Sequence, residues 1–389
     1  MPHSCFHIRS LAAVLAAFAC GASSADAEAP ADANRTTGVT ANSWPLFRGD
    51  AQATGVAVSS LPERPKLLWR YVVDGGAFDG TPAIAEGLAV IGDLDGVLYA
   101  LDLNTGKEKW RLTLKESGFI ASPSIRDGRV YIGDVYGVFL CVDLQTGKEL
   151  WQFETDNEID GGANLLGENV LFGSQDSRLY CLSAKTGVEA WRAETADQIR
   201  CFPSLADGRT FVAGCDGELH VFSAATGKEQ RSVPIKSPTM CTPAADGDFV
   251  YFGVEQGGAF LAVNWRKGEV AWTYRDPDSP QGYRASAAIA KDRVIVAGRN
   301  KAVLALAKTD GKELWRYQGR KRIDSSPVIV EGRVFVGTGD GQLIALDLQT
   351  GKLQWQYEAG GEFIGGPAVA DGRLVIANDR GVVFCFGGQ

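Results

Sequence analysis

Short apolar runs separated by glycine-containing turns follow one another along most of the chain. Residues 130–132 form one such run. It follows an Asp127-Gly128 pair, which favours a tight hairpin because glycine accepts a positive φ without a steric penalty. In the next run, residues 138–142, neither alternate set of side chains is polar, so this strand is predicted to be buried on both faces. The pattern predicts an all-β protein of short antiparallel strands.

One phrase that joins two strands through a Thr-Gly turn recurs along the chain. It reads ALDLNTGKEKW at residues 100–110 and ALDLQTGKLQW at residues 345–355. Alignment on its last position gives eight markers spaced by 40 to 43 residues, and one of the eight is an arginine. The markers are Trp69, Trp110, Trp151, Trp191, Arg231, Trp272, Trp315 and Trp355. Four short strands in each interval are the content of one propeller blade.

The count of strands predicts a closed ring of eight blades. Seven full units end at the markers from Trp110 to Trp355, and residues 363–386 then supply three strands without a fourth. Residues 67–73 supply one strand, LLWRYVV, with no strands before it. We therefore predict that this N-terminal strand completes the C-terminal blade, which removes the open edges of the array, and that the propeller spans residues 64–389. A solenoid is disfavoured because the repeat is too long and its hairpins are too frequent.

The seven marker tryptophans are interpreted as packing groups between blades. The residue at the Asp102 position is short and polar, which suits it to accept N–H groups of the Thr-Gly turn. Two positions earlier the residue is mostly Ala or Cys, which leaves room for an indole. Each buried ring is then expected to contribute about 2 to 3 kcal/mol. The alternative is that the rings are platforms for a cofactor or a sugar.

The N-terminus resembles an export signal. An apolar run at residues 11–19 follows Arg9 and precedes small residues that end at Ala27. This is the pattern of a secretory signal, predicted to end at Ala27, and the run is too short to span a membrane. The residues around Cys20 resemble a bacterial lipobox, so a lipid anchor at Cys20 is the alternative. Residues 28–63 are predicted to be a flexible leader and pre-propeller segment.

Composition disfavours several kinds of ligand and active site. The formal net charge of -8 argues against a nucleic-acid ligand, because a phosphate backbone would be repelled by the average surface. His220 is the one histidine beyond residue 27, which disfavours a Ser-His-Asp triad. The cysteines show no C-x-x-C spacing, so structural zinc and c-type haem are disfavoured.

Two cysteines are close enough in the predicted hairpin to allow a disulfide. Counting back from the Asp207-Gly208 turn places Cys215 diagonally opposite Cys201. Disulfides form in exported proteins, so a bond between Cys201 and Cys215 is geometrically allowed. Two free thiols are the alternative.

The repeat A-x-D-x-x-T-G-K-x-x-W resembles that of the pyrroloquinoline-quinone-type (PQQ-type) propellers. This family includes quinoprotein alcohol dehydrogenases and the BamB outer-membrane assembly lipoproteins, and the resemblance covers residues 67–386. Residues 44–49, WPLFRG, are similar to a segment that precedes the propeller in exported members. WD40 is a poorer match because its Gly-His and Trp-Asp dipeptides do not recur.

The resemblance implies two functions of different classes. The enzymes of the family are expected to carry PQQ, a calcium ion and adjacent cysteines, whereas this chain has no Cys-Cys pair and none of its residues was matched to the calcium ligands. We therefore expect no catalytic, cofactor-binding or metal-binding residue, and predict an exported, non-catalytic binding or assembly scaffold similar to BamB. A PQQ-dependent dehydrogenase acting on an alcohol or a sugar is the alternative. The expected location is the periplasm or cell envelope, associated with the outer membrane.

Candidate binding residues are sought on one face of the disc. Loops that follow each Trp strand, and turns between second and third strands, are predicted to share that face. Its basic residues are Arg275, Arg284, Arg299, Lys301, Arg320, Lys321 and Arg322. Its acidic residues are Asp93, Asp95, Asp134, Asp156, Glu158 and Asp160. The basic set predicts a site for an anionic ligand or an acidic envelope protein, and the loop 275–283 is a candidate partner-contacting insertion. A solvated charged rim is the alternative.

Overall fold

A computed structural model of the protein describes residues 40–388. The predicted signal sequence, the lipobox at Cys20 and the leader up to residue 39 lie outside the described residues. The described part folds into eight four-stranded antiparallel sheets, arranged as the blades of a propeller. The prediction of an all-β, eight-bladed propeller is confirmed.

The strands are numbered in chain order, and blades 1 to 8 follow the same order. Blade 1 contains β2 (Ala83–Ala85), β3 (Leu88–Gly92), β4 (Val97–Asp102) and β5 (Glu108–Thr113). Blade 2 contains β6 (Ser124–Arg126), β7 (Arg129–Gly133), β8 (Val138–Asp143) and β9 (Glu149–Glu154). Blade 3 contains β10 (Asn164–Leu166), β11 (Asn169–Ser174), β12 (Arg178–Ser183) and β13 (Glu189–Glu194). Blade 4 contains β14 (Ser204–Ala206), β15 (Arg209–Ala213), β16 (Glu218–Ser223) and β17 (Glu229–Pro234).

The second half repeats this order. Blade 5 contains β18 (Ala244–Asp246), β19 (Phe249–Gly253), a 3-10 turn (Gln256–Gly258), β20 (Ala259–Asn264) and β21 (Glu269–Arg275). Blade 6 contains β22 (Ala288–Ile289), β23 (Arg293–Ala297), β24 (Ala302–Ala307) and β25 (Glu313–Gln318). Blade 7 contains β26 (Val328–Val330), β27 (Arg333–Gly337), β28 (Gln342–Asp347) and β29 (Leu353–Glu358). Blade 8 contains β30 (Ala368–Ala370), β31 (Arg373–Ala377), β32 (Val382–Gly387) and β1 (Lys66–Val72).

The ring closes through β1. This strand pairs antiparallel with β32, with Tyr71 opposite Val383 and Trp69 opposite Cys385. The last sheet therefore combines one strand from the start of the propeller with three from its end, as the strand count predicted. The third strands are buried at their central positions, as in residues 139–142 of β8, because neighbouring blades cover both faces.

Six of the eight joints between blades place an indole ring on a glycine. A Cβ built on Gly106 would lie 2.5 Å from the Trp69 ring, and the φ of +70° at Gly106 also favours glycine. Trp69 Nε1 donates a hydrogen bond of 2.9 Å to the Leu103 carbonyl of the same turn. The other indole–glycine pairs are Trp110 with Gly147, Trp151 with Gly187, Trp191 with Gly227, Trp272 with Gly311, and Trp315 with Gly351. Each indole thus reaches the turn of the following blade.

Two joints depart from this pattern. Arg231 of blade 4 takes the place of the indole, and its guanidinium lies over Gly268. The ring at this joint comes from the other side, because Trp265 of blade 5 packs against Phe211 of blade 4 with centroids 5.4 Å apart. Trp355 of blade 7 has no turn to meet, since β32 and β1 are not consecutive, and it packs edge-on against Phe386 at 5.7 Å.

The loss of stability on removing the indole N–H is expected to differ between joints, because the N–H has a hydrogen-bond partner at some joints and none at others. Trp110 Nε1 donates to the Leu144 carbonyl at 2.8 Å, whereas the buried Nε1 of Trp191 has no partner. Trp110→Phe is therefore expected to lower the free energy of unfolding by about 1 kcal/mol more than Trp191→Phe, as measured by urea unfolding. Both rings stack on a glycine, so equal losses would contradict this account of the joint.

Candidate functional site

An N-terminal segment, residues 41–62, runs around the inside of the propeller, and we call it the strap. Its Trp44 exchanges two backbone hydrogen bonds of 2.8 Å with Ile84 of the innermost strand β2. Further along, strap carbonyls accept N–H groups from the innermost strands of other blades. These pairs are Pro45 with Ile125, Ala51 with Leu205, Gln52 with Ala245, Thr54 with Ile289, and Gly55 with Ile329, at 2.7 to 2.9 Å.

The strap exists because innermost strands have an open edge. In seven of the eight innermost strands the N–H of the second residue has a partner outside the backbone hydrogen bonds of its own sheet, since a buried N–H needs a partner. In blade 3 the partner is local, because the Asn164 side chain accepts the Leu165 N–H at 2.8 Å. Sequence reasoning placed residues 28–63 ahead of the propeller and did not place any of them in the channel. The apolar Trp44 and Leu46, both fully buried, were the sign that it missed.

Arg48 supplies hydrogen bonds that two blades lack. In blades 2 to 4 a side chain at the first position of the innermost strand donates to a carbonyl of the next blade. These pairs are Ser124 with Ala163, Asn164 with Pro203, and Ser204 with Pro243. In blades 5 and 6 this position is Ala244 or Ala288, which has no donor. Arg48 Nη2 instead donates to the two carbonyls that would otherwise have no donor, those of Ala287 at 2.9 Å and of Pro327.

The Arg48 guanidinium is 1% exposed. Burial lowers the pKa of Arg48 to about 9, and the nearby Asp50 opposes this shift. Its role is to fix the strap against carbonyls of blades 6 and 7 in the absence of a contacting carboxylate. An arginine in this position was not recognised as functional from the sequence, because its acceptors are backbone atoms.

The mouth of the channel on the face predicted for binding is lined by a ring of eight residues. Each lies four positions before the first residue of an innermost strand, so the eight are equivalent around the axis. They are Asp79, Ile120, Asp160, Arg200, Met240, Arg284, Asp324 and Ile364. The charges are uneven: Arg200 pairs with Asp160 at 2.8 Å, whereas burial and the nearby Asp379 raise the pKa of Asp79.

The seven basic residues predicted as a site fall into three groups. Three form ion pairs: Arg284 with Glu255 at 3.5 Å, Arg299 with Asp324 at 3.1 Å, and Arg322 with Glu362 at 2.8 Å. Arg275 donates to the Gly257 carbonyl at 2.9 Å. The other three are exposed and form no ion pair among the described residues. They are Lys301, Arg320 and Lys321, which we call the cationic cluster.

The cationic cluster is held together by its backbone. Gly319 N donates to the Lys301 carbonyl at 2.7 Å, which brings the turn of blade 6 against the loop that leads to blade 7. Arg320 and Lys321 follow directly in that loop. Three cations without a carboxylate partner therefore lie on one patch of this face.

Most of the predicted acidic residues have structural partners. Asp93 is buried, and its Oδ1 accepts the N–H groups of Asp95 and Val97 at 3.0 and 2.8 Å. Asp134 makes the same bonds in the next blade. Asp156 pairs with Arg178 at 2.5 Å, and Glu158 accepts from Gln175 at 2.7 Å. These carboxylates stabilise turns and loops and leave little free negative charge.

The loop 275–283 is anchored at both ends and exposed in between. Asp276 is buried and accepts a hydrogen bond from Arg316 at 3.0 Å, and Tyr283 is 1% exposed. The stretch between them, including Pro277 and Asp278, is exposed. Its contact with a partner stays a prediction.

Cys201 and Cys215 are both free in the structure, so the disulfide allowed by the sequence is not formed. Cys201 is buried, and its thiol donates to the Ala213 carbonyl at 3.4 Å instead of meeting Cys215. Burial raises the pKa of Cys201 to about 12. The thiol is therefore protonated at neutral pH and poorly nucleophilic.

The fold and the repeat agree with a known family. A family model described as "Outer membrane protein assembly factor BamB", built on the PQQ-like repeat, matches residues 53–200, 175–321, 281–363 and 299–386. The chain belongs to this family. No curated protein gives a significant match to the chain.

Solved structures share the fold of this BamB-family chain at low identity. BamB from Moraxella catarrhalis is 18% identical, with a TM-score of 0.71 over 83% of this chain and 100% of that one. Quinohemoprotein alcohol dehydrogenase from Comamonas testosteroni is 14% identical, with a TM-score of 0.74 over 90% of this chain and 81% of that one. A europium-containing methanol dehydrogenase is 13% identical, with a TM-score of 0.72 over 90% of this chain and 98% of that one. BamB and these dehydrogenases therefore share this fold.

The innermost strands and the mouth of the channel are the places where a central ligand would be sought. Within residues 40–388, no three side chains of His, Cys, Asp or Glu converge as metal ligands would. At the level of the innermost strands, the channel holds the strap. The ring at the mouth places one carboxylate in each of three separated blades, apart from one another. In the same described part, no helix is long and apolar enough to cross a membrane.

A charged cluster in blade 4 lies beside a surface cleft. His220 Nε2 is 2.8 Å from Asp216 Oδ2, and His220 Nδ1 is 2.7 Å from Glu229 Oε1. Ionised carboxylates only accept hydrogen bonds, so this geometry favours the protonated imidazole, in which both ring nitrogens donate. The cleft has a volume of about 300 Å³, and its walls include Asp216, Lys236 and Pro238.

The cluster predicts a pH-dependent stability. Burial acts to lower the pKa of His220, but hydrogen bonds to Asp216 and Glu229 outweigh it and raise the pKa. A raised folded-state pKa stabilises the protein fully below the unfolded pKa of about 6.5, and this contribution is lost as the pH rises through the folded pKa.

The measurement compares His220→Gln with the parent protein by urea unfolding at about pH 5.5 and about pH 9. The parent is expected to be more stable than the variant at the lower pH, with a smaller difference at the higher pH. A difference that does not change with pH would contradict a protonated His220.

Proposed function

We propose that this protein is an exported, non-catalytic scaffold of the cell envelope that binds another protein, a role similar to that of an outer-membrane protein assembly factor such as BamB. The observation that carries the proposal is the strap. It fills the centre of the ring with the protein's own backbone and leaves the outer surface of the face as the place for a partner. Export by the N-terminal signal, or anchoring at Cys20, is part of the same proposal.

The cationic cluster is the proposed contact for an acidic partner. Lys301, Arg320 and Lys321 are exposed and form no ion pair among the described residues, whereas the other members of the basic set already have partners. On a protein of net charge -8, a patch of unpaired cations attracts an acidic surface. Arg284, Arg299 and Arg322 then act as structural ion pairs of the face.

The experiment uses a polyglutamate peptide as the probe. Binding is measured by fluorescence anisotropy at low and physiological salt, with the full mature chain. Replacing Lys301, Arg320 and Lys321 by Glu is expected to weaken binding by about tenfold or more, since each exposed charge pair contributes up to about 1 kcal/mol and 1.4 kcal/mol is tenfold. The remaining affinity is expected to fall with salt.

The matched control makes the same charge change on the opposite face. Lys107, Lys148 and Lys352 are exposed in the Thr-Gly turns, far from the proposed contact along each blade. Replacing these three by Glu is expected to leave binding within about twofold apart from the effect of net charge. Equal losses in the two triple variants would mean that net charge, and not the cationic cluster, controls binding.

A second measurement separates the scaffold from the enzyme. PQQ and calcium are added to the purified protein, and the quinone absorbance is followed together with dye reduction in the presence of alcohols and sugars. The proposal expects no saturable spectral shift and no dye reduction. A shifted spectrum with substrate-dependent dye reduction would overturn the non-catalytic assignment.

A further inference from the structure

We propose that the inner wall of the channel is a binding site for an extended peptide and that the strap is the ligand it holds in cis. The proposal does not depend on what binds the outer face. It concerns an intramolecular complex in which the propeller recognises a short segment by backbone and side-chain contacts.

The backbone contacts have the form of a receptor for an extended chain. In six innermost strands, an inward N–H donates a hydrogen bond to a strap carbonyl. At Trp44 the pairing is reciprocal, because its own N–H also donates to the Ile84 carbonyl. At its far end the strap exchanges bonds with Ile329, where Ala57 N donates at 2.9 Å. Main-chain bonds of this kind give affinity without dependence on side chains, as in strand addition to a sheet edge.

Side chains of the strap supply the specificity. Trp44 and Leu46 are fully buried, and Arg48 satisfies the Ala287 and Pro327 carbonyls. Gly49 follows with a φ of +91°, and a Cβ on it would lie 2.9 Å from the Trp44 ring, so only glycine fits there. The recognised pattern is thus an aromatic residue, an apolar residue two positions later, and an Arg-Gly pair beginning at the fourth position after the aromatic residue.

The strap is joined to the propeller by a stretch that can be cut. Glu63 and Arg64 are exposed between the strap and β1. On the strap side of this point, Arg333 donates to the carbonyls of Leu61, Pro62 and Glu63 at 2.7, 2.9 and 3.0 Å. A break between Glu63 and Arg64 therefore removes the covalent link and leaves these contacts in place.

The test begins with the full chain carrying a site-specific protease sequence between Glu63 and Arg64. After cleavage, the strap is expected to co-elute with the propeller in size-exclusion chromatography. A fluorescent synthetic peptide of residues 40–62 is then expected to exchange into the channel at one saturable site, and excess unlabelled peptide is expected to displace it. A strap that separates on cleavage, with no binding of the peptide afterwards, would overturn the proposal.

Variant peptides test the recognition without changing the fold of the propeller. A peptide with Arg48→Met is expected to bind at least about tenfold more weakly, because two buried carbonyls lose their donor. The matched control is Gln52→Ala, since Gln52 contributes its backbone carbonyl to Ala245 and no side-chain hydrogen bond. Indistinguishable affinities for the two variant peptides would contradict the role assigned to Arg48.

Discussion

The stacking of an indole ring on a glycine of the next blade is the interaction on which the rest of the structure depends. It fixes the distance and rotation between blades, because the ring fits only where a Cβ is absent, and at most of these joints the turn also offers a carbonyl to Nε1. Repetition of this joint around the ring requires eight similar units. The blade 4 to blade 5 joint shows that the requirement is for a ring at the joint: Arg231 has replaced the indole, and Trp265 approaches from the opposite blade.

A closed ring creates a second constraint at its centre. The eight sheets of the described residues are separate, so the inner edges of the innermost strands carry N–H groups that need partners in the channel. Carbonyls of the strap accept hydrogen bonds from these N–H groups. Conversely, Arg48 donates hydrogen bonds to two carbonyls that would otherwise lack a donor. The strap therefore occupies the centre of the channel, where a central ligand would lie. This links the stability of the channel to the proposed function at its outer face.

The surface chemistry was only partly accessible from the sequence. The basic set was identified, yet a list of residues does not show that Arg299 faces Asp324 or that Arg322 faces Glu362. These partners lie 25 and 40 residues apart in the chain and meet because adjacent blades bring their loops together. What remains as free charge is the smaller cluster at Lys301, Arg320 and Lys321. Likewise, Cys201 and Cys215 were near neighbours by strand counting, but the direction of each side chain decided their free state.

The sequence alone determined the all-β class, the eight blades and the closure by β1, because these follow from a repeat whose turns and strand patterns are local. It also identified the seven marker tryptophans, but not Trp265, which supplies the ring where the marker is Arg231. The tertiary structure alone decided the course of the strap and the role of Arg48, whose acceptors lie 239 and 279 residues away. No local pattern encodes such contacts, since the acceptors are backbone carbonyls and the donor is an arginine that sequence rules place at the surface. Arg48 is buried because the closed ring holds the strap against two buried carbonyls that accept its hydrogen bonds.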